Sequence, residues 1–236
     1  MGATADEIRS KLEALADPRV AEVSLRFFKT GPGEYGEGDR FRGIRVPLLR
    51  KLRAEYRDLP VADMIELLVS PFHEDRLLAL LLLMHRYWRV DEQGQGEIYE
   101  IYLSHTAWIN NWDLVDVSAE HIVGSFLRDK ERTPLYQLAA SRDLWERRIA
   151  IMATFRYIKR GEFGPTLALA AMLLDDKEEL IHKAVGWMLR ETGKRNMDTE
   201  ERFLRQHYRK MPRTMLRYAI ERFQEERRQQ YLKGLL

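Results

Sequence analysis

Apolar residues recur along this chain at intervals of three and four, the spacing that gathers them on one side of an α-helix. The pattern predicts helices over 4–15, 18–29, 46–57, 60–70, 73–88, 95–107, 112–127, 133–141, 144–160, 164–174, 177–193, 198–210, 212–223 and 225–234. No run alternates with the period of two that a half-buried strand requires. Punctuation agrees with the pattern: Pro47 and Pro212 suit first turns, and Gly161 and Gly193 follow basic last turns. The links are short, so neighbouring helices are expected to pack antiparallel.

Helix pairs recur at roughly the 35–45-residue period of paired-helix solenoids. Residues 72–90, 144–160 and 177–193 share one plan, with charges near the start, an apolar run and a basic finish. A stack of such pairs curves and offers a concave face to a large ligand. No linker divides the chain. The fold expected is therefore all-α, a single α-solenoid domain over 1–236.

One stretch departs from the periodicity, Lys29-Thr-Gly-Pro-Gly-Glu-Tyr-Gly-Glu-Gly-Asp-Arg-Phe-Arg-Gly43. Its glycines disfavour a helix and permit positive φ. It lacks the spacing and the Lys-Ser/Thr of a nucleotide-binding loop, and no strand precedes it. It reads as a connector, or as a rim loop that touches a phosphate or closes over a ligand.

Composition narrows the functions. There is no cysteine, so neither disulfides nor thiolate metal sites arise, as suits a reducing cytoplasm. The first ten residues carry acidic groups and no apolar core, unlike a secretory signal. The run Leu77–Met84 falls short of the roughly 20 residues a bilayer needs and reads as a buried helix. The net charge of +2 conceals an asymmetry: residues 141–236 hold 21 Lys and Arg against 14 Asp and Glu, leaving 1–140 with a net of −5. One end of the molecule is thereby suited to a polyanion, or simply to water.

Candidate chemistry gathers on three helical segments and at the start of a fourth. Asn110 and Asn111 are placed to cap a helix whose stripe is Val115, Ala119, Ile122 and Phe126. Trp112 and Asp116, four apart, share the neighbouring face, so an indole and a carboxylate meet at the edge of an apolar surface. Arg148 falls beside the stripe Trp145, Met152 and Phe155, where a guanidinium needs a carboxylate or phosphate. Lys183, Trp187 and Arg190 form a row beside Leu180, Ala184 and Met188. Arg209, Lys210, Arg213 and Arg217 surround the helix start at Pro212, which itself favours an anion. Each of these also has a structural reading, as core indole, ion pair or solvated face. The six histidines show no metal-ligand spacing, and no Gly-x-Ser-x-Gly elbow is present, so neither metal nor cofactor is expected.

Several of these residues lie in longer motifs: Trp-Asp-Leu-Val-Asp (112–116), Leu-Trp-Glu-Arg-Arg-Ile-Ala (144–150) and Ile-His-Lys-Ala-Val-Gly-Trp-Met-Leu-Arg-Glu (181–191). With Gly-Ile-Arg-Val-Pro (43–47) and Met-Pro-Arg-Thr-Met-Leu-Arg-Tyr-Ala-Ile (211–220), these motifs resemble the AlkD-type DNA alkylation repair family over nearly the whole chain. The resemblance implies HEAT-like repeats with a concave basic face. It also implies a monofunctional glycosylase that excises N3- and N7-alkylated purines from double-stranded DNA, in the cytoplasm near the nucleoid; a monomer is the default expectation. By motif match Asp116, Trp112, Trp187 and Arg148 fall on the family's active-site positions, with Arg45, Arg147, Lys183, Arg190, Arg213 and Arg217 as DNA contacts. Two features differ from the catalytic branch: Phe27 stands in place of a tyrosine, and the glycine-rich segment at 30–42 is longer. Two other functions suit the same pattern, a DNA-structure binder without catalysis and a helical scaffold for proteins. Steep salt dependence of DNA binding marks the first of these, because phosphate contacts release counterions.

Overall fold

The computed structural model describes residues 3–236, and among these all the regular elements are helices, with one isolated bridge between Arg40 and Phe72 in place of any strand. The chain divides into two compact units, one ending at Ser118 and one running from Ala119 to Leu236.

The first unit comprises α1 (Ala5–Ala14), α2 (Pro18–Phe27), α3 (Val46–Glu55), α4 (Val61–Leu68), α5 (His73–Tyr87), α6 (Glu92–Ser104) and α7 (Trp112–Ser118). Its centre is α5, whose residues from Leu77 to Leu83 are all buried, as a helix that is apolar all round must be. Helices α3, α4, α6 and α7 pack on it, and α1 packs on α4. Four residues link α4 to α5, so the pair forms the expected hairpin. Thr4 and Glu7 close a capping box on α1, and Asp17 caps α2 ahead of Pro18. Helix α6 begins earlier than its apolar residues suggest, because Asp91 accepts from the Gly94 amide at 2.9 Å. Gly94 and Gly96 mask that start in the sequence.

The second unit holds α8 (Thr133–Ala139), α9 (Leu144–Ala153), α10 (Phe155–Ile158), α11 (Gly164–Met172), α12 (Glu179–Gly193), α13 (Met197–His207), α14 (Arg213–Ala219) and α15 (Glu225–Lys233). Its centre is α12, against which α9, α11, α13 and α14 pack. Gly186 permits the closest approach: a Cβ there would stand 2.4 Å from the Met215 carbonyl oxygen on α14.

Two long helices expected from periodicity are interrupted. The segment 112–127 is α-helical only to Ser118, and a π-helical turn then occupies Glu120–Gly124. The Gly124 amide reaches back to the Ala119 carbonyl at 2.9 Å, and a Cβ at Gly124 would lie 2.2 Å from the Ala153 carbonyl oxygen. The segment 144–160 breaks at Thr154, whose hydroxyl donates to the Ile151 carbonyl at 2.7 Å and competes with the helical ladder. No helix of the described residues is long and apolar enough to cross a membrane.

Candidate active site

The N-terminus of α7 is fixed before its chemistry begins. Asn111 is fully buried and its side-chain oxygen accepts from the Trp112 amide at 2.8 Å. Asn110 serves differently from the expected cap, accepting from Arg76 Nη2 at 3.1 Å. Trp112 emerges half-buried, stacked on Phe28 (centroids 5.4 Å apart, 27°) and edge-on to Phe27 at 5.9 Å. Phe27 itself is 62% exposed. One turn on, Asp116 is also half-buried, neither sealed inside nor extended into water. It lies near Tyr102, whose phenol is pushed up by burial and, more weakly, by the Asp116 charge.

Beneath this aromatic group runs a buried polar network absent from the expectations above. Glu74, in the first turn of α5, accepts three successive amides of the glycine-rich segment: Arg42 at 2.9 Å, Gly43 at 2.8 Å and Ile44 at 3.1 Å. Gly43 adopts φ 81°, and a Cβ there would lie 2.1 Å from the Asp17 carbonyl oxygen, so only glycine fits. Asp75, fully buried, receives Arg42 Nε at 2.7 Å and Nη2 at 3.1 Å, and Arg42 also pairs with Glu13.

His73 completes the network, with Nδ1 2.9 Å from Asp39 and Nε2 2.8 Å from Asp113, the residue after Trp112. Its ring lies against Phe41 and Phe28 at 4.6 and 5.0 Å. Burial alone lowers an imidazole's pKa, but the bonds and charges of Asp113 and Asp39 outweigh it and raise His73 to about 9. Both ring nitrogens therefore donate at neutral pH. Asp39 is held below the usual carboxylate range, its burial outweighed by His73 and by Arg76 at 2.8 Å. The available signal was the run His73-Glu74-Asp75-Arg76, four polar residues opening an otherwise apolar helix.

In the second unit, Arg148 is 4% exposed and its Nη1 donates to the Leu180 carbonyl at 2.5 Å. Arg147 grips Asp176 at 2.6 and 3.3 Å and also donates to the carbonyls of Ser141 and Arg142. Trp187 is half-buried, tilted against Phe155 at 6.2 Å, with its N–H on Glu191 at 3.2 Å. Glu191 also pairs with Lys194 and Arg195, whose bonds outweigh burial and hold it low. Lys183 pairs with Glu179 at 3.2 Å, and Arg190 with Glu221. Arg213 donates to the Leu232 carbonyl at 2.9 Å, while Arg217 is exposed on α14. Arg45, in the first unit, is exposed at the N-cap of α3. Among the described residues no group of three or more His, Asp or Glu is arranged to hold a metal.

A family model described as DNA alkylation repair enzyme matches residues 8–223. A solved structure described as a predicted DNA alkylation repair enzyme from Enterococcus faecalis shares the fold, with a TM-score of 0.69 over 89% of this chain and 97% of that one. Sequence identity to it is 18%, so this likeness bears on architecture alone. No curated protein matches the chain in sequence.

Proposed function

The chain belongs to the DNA alkylation repair enzyme family, and from that premise we propose that it is a DNA glycosylase hydrolysing the N-glycosidic bond of cationic N3- and N7-alkylpurines in duplex DNA. The observation that carries this reading is the pair on α7: a half-buried indole, stacked on Phe28, one turn from a half-buried carboxylate.

Such a substrate needs little acid catalysis. The alkylated purine already bears positive charge, so the C1′–N bond breaks with its electron pair passing to a base that leaves neutral. The deoxyribose then carries the charge, and Asp116 is suited to stabilise that oxocarbenium-like carbon and to orient the water that bonds to it and releases a proton to solvent. The face of Trp112 attracts the developing cation. The motif match extends these roles to Trp187, as a second indole toward deoxyribose, and to Arg148, as a phosphate contact. Arg45, Arg147, Lys183, Arg190, Arg213 and Arg217 would hold the backbone, so lesion or shape rather than sequence would be read. In this reading the base is not extruded into a pocket, unlike the general glycosylase strategy.

One observation favours DNA binding without excision. The ring edge-on to Trp112 is Phe27, without the hydroxyl of the catalytic branch. Release of 7-methylguanine from methylated duplex separates the two functions. Wild type is expected to release base, and Asp116→Asn to do so at least ~100-fold more slowly, in the range of lost charge stabilisation, with DNA affinity preserved. Equal rates in the two proteins would remove Asp116 from the reaction, and no release from either would leave the binding function.

A further inference from the structure

Apart from the α7 pair, the first unit carries a cationic cluster where α3 and α5 end. Arg53 lies in the last turn of α3 and His85 in that of α5, with Arg57 and Asp58 following α3 and Arg89 following α5. His85 stands between two guanidinium groups: Nδ1 is 3.2 Å from Arg53 Nη1, and Nε2 is 3.2 Å from Arg89 Nη1. A neutral imidazole offers one acceptor nitrogen, and a protonated one offers none. Whatever its protonation, at least one guanidinium N–H therefore meets a ring N–H.

The carboxylate to hand is Asp58, 3.4 Å from Arg57 and 4.0 Å from Arg89, and it is itself 75% exposed. Arg57 and Arg89 thus share one solvated carboxylate, while Arg53 meets the His85 ring. Burial and then the charges of Arg53, Arg89 and Arg57 hold the His85 pKa down, against Asp58. Cations at helix C-termini complement the dipole. That accounts for the arginines but not for a ring presented to two donors. An oxyanion would resolve the mismatch, since its oxygens accept from both guanidinium forks and from a ring N–H. Trp88, which precedes Arg89 in the chain, is 50% exposed, and an exposed indole with cations is a combination that suits nucleic acid.

We propose that Arg53, Arg57, His85 and Arg89 form a phosphate-binding site, and that its ligand is a backbone phosphodiester of nucleic acid. Arg57 and Arg89 are more than half exposed, so the site is open enough for a polymer to pass across it. It does not depend on the glycosylase reading, because a backbone contact of this kind needs no lesion.

The test uses the full chain with a labelled, unmodified duplex, following anisotropy against salt. Arg53→Gln/Arg89→Gln is expected to weaken binding by about fivefold or more and to flatten the log K against log salt slope by about one. Lys11→Gln/Arg19→Gln removes the same charge from α1 and α2 and is expected to change affinity less than twofold. In parallel, the His85 ring resonance is titrated against pH with the duplex and with inorganic phosphate alone. A His85 pKa raised by the duplex supports the site, whether or not phosphate also raises it. Unchanged slope together with a response to inorganic phosphate only would assign a free-anion site and overturn the nucleic-acid ligand. No response to either would overturn the site altogether. Base release from methylated DNA is measured separately, so failure here leaves the glycosylase reading standing.

Discussion

His73 donates from Nε2 to Asp113 across 2.8 Å, so the first residue of α5 holds the residue that follows Trp112. The candidate site therefore rests on a charged pair whose partners lie 40 positions apart.

This pair makes stability depend on pH in a defined direction. The pKa of His73 in the fold, about 9, exceeds the ordinary 6.5. Its stabilisation is complete below about pH 6.5 and is lost as pH rises through 9, to a total of roughly 3 kcal/mol. Urea unfolding between pH 6 and 9.5 should show wild type losing stability relative to His73→Gln over that window. Parallel curves would mean that His73 is not charged in the fold.

Glu200 supplies the opposite case, a group whose charge the fold disfavours. It is 1% exposed, its Oε2 fills the space a side chain at Gly193 would need, and its Oε1 has no hydrogen-bond partner among the described residues. Burial, opposed by Arg190 and assisted by Glu201, raises its pKa from 4.5 to about 9. The folded chain thus keeps a proton that the unfolded chain gives up, and stability falls as pH climbs from about 4.5 towards 9. Glu200→Gln should gain about 1–3 kcal/mol at pH 7.5 and less at pH 5. A gain equal at both would show that the carboxyl is not protonated at neutral pH.

Arg148 can be tested for its place in the interior. Its bond to the Leu180 carbonyl ties α9 to the start of α12. Arg148→Met should cost about 1–3 kcal/mol of stability, from an unmet carbonyl and a lost charged donor. Unfolding of the variant at neutral pH measures this. Wild-type stability combined with weakened DNA binding would instead assign the guanidinium to phosphate alone.

The helices were legible because each is encoded locally. The stripes of α5 and α12 repeat within a few residues, and Asp17, Asp91 and Asp143 announce their helices from one position away. The interruptions at Glu120–Gly124 and Thr154 were not legible, since each depends on a backbone contact or a hydroxyl bond that periodicity does not record. Trp112 and Asp116 could be singled out as a candidate pair because i and i+4 share a helix face, and both lie half-buried on α7. Asp39, His73 and Asp113 were missed because three distant segments must meet before their charges acquire partners. The structure also gives Arg147 and Arg148 acceptors inside the protein, a distinction invisible to spacing, whereas Arg45 and Arg217 lie on the exterior.

Glu74 acts as a clasp where the glycine-rich segment enters α3, and its three amide bonds all lie at Arg42–Ile44. Residues inserted between Gly31 and Gly38 would lengthen only what lies beyond the clasp, and each doubling of such a span costs well under ~1 kcal/mol in closure entropy. The direction in which α3 departs is thereby insulated from changes in length upstream. An insertion in this tip is therefore expected to leave the register after Ile44 unchanged.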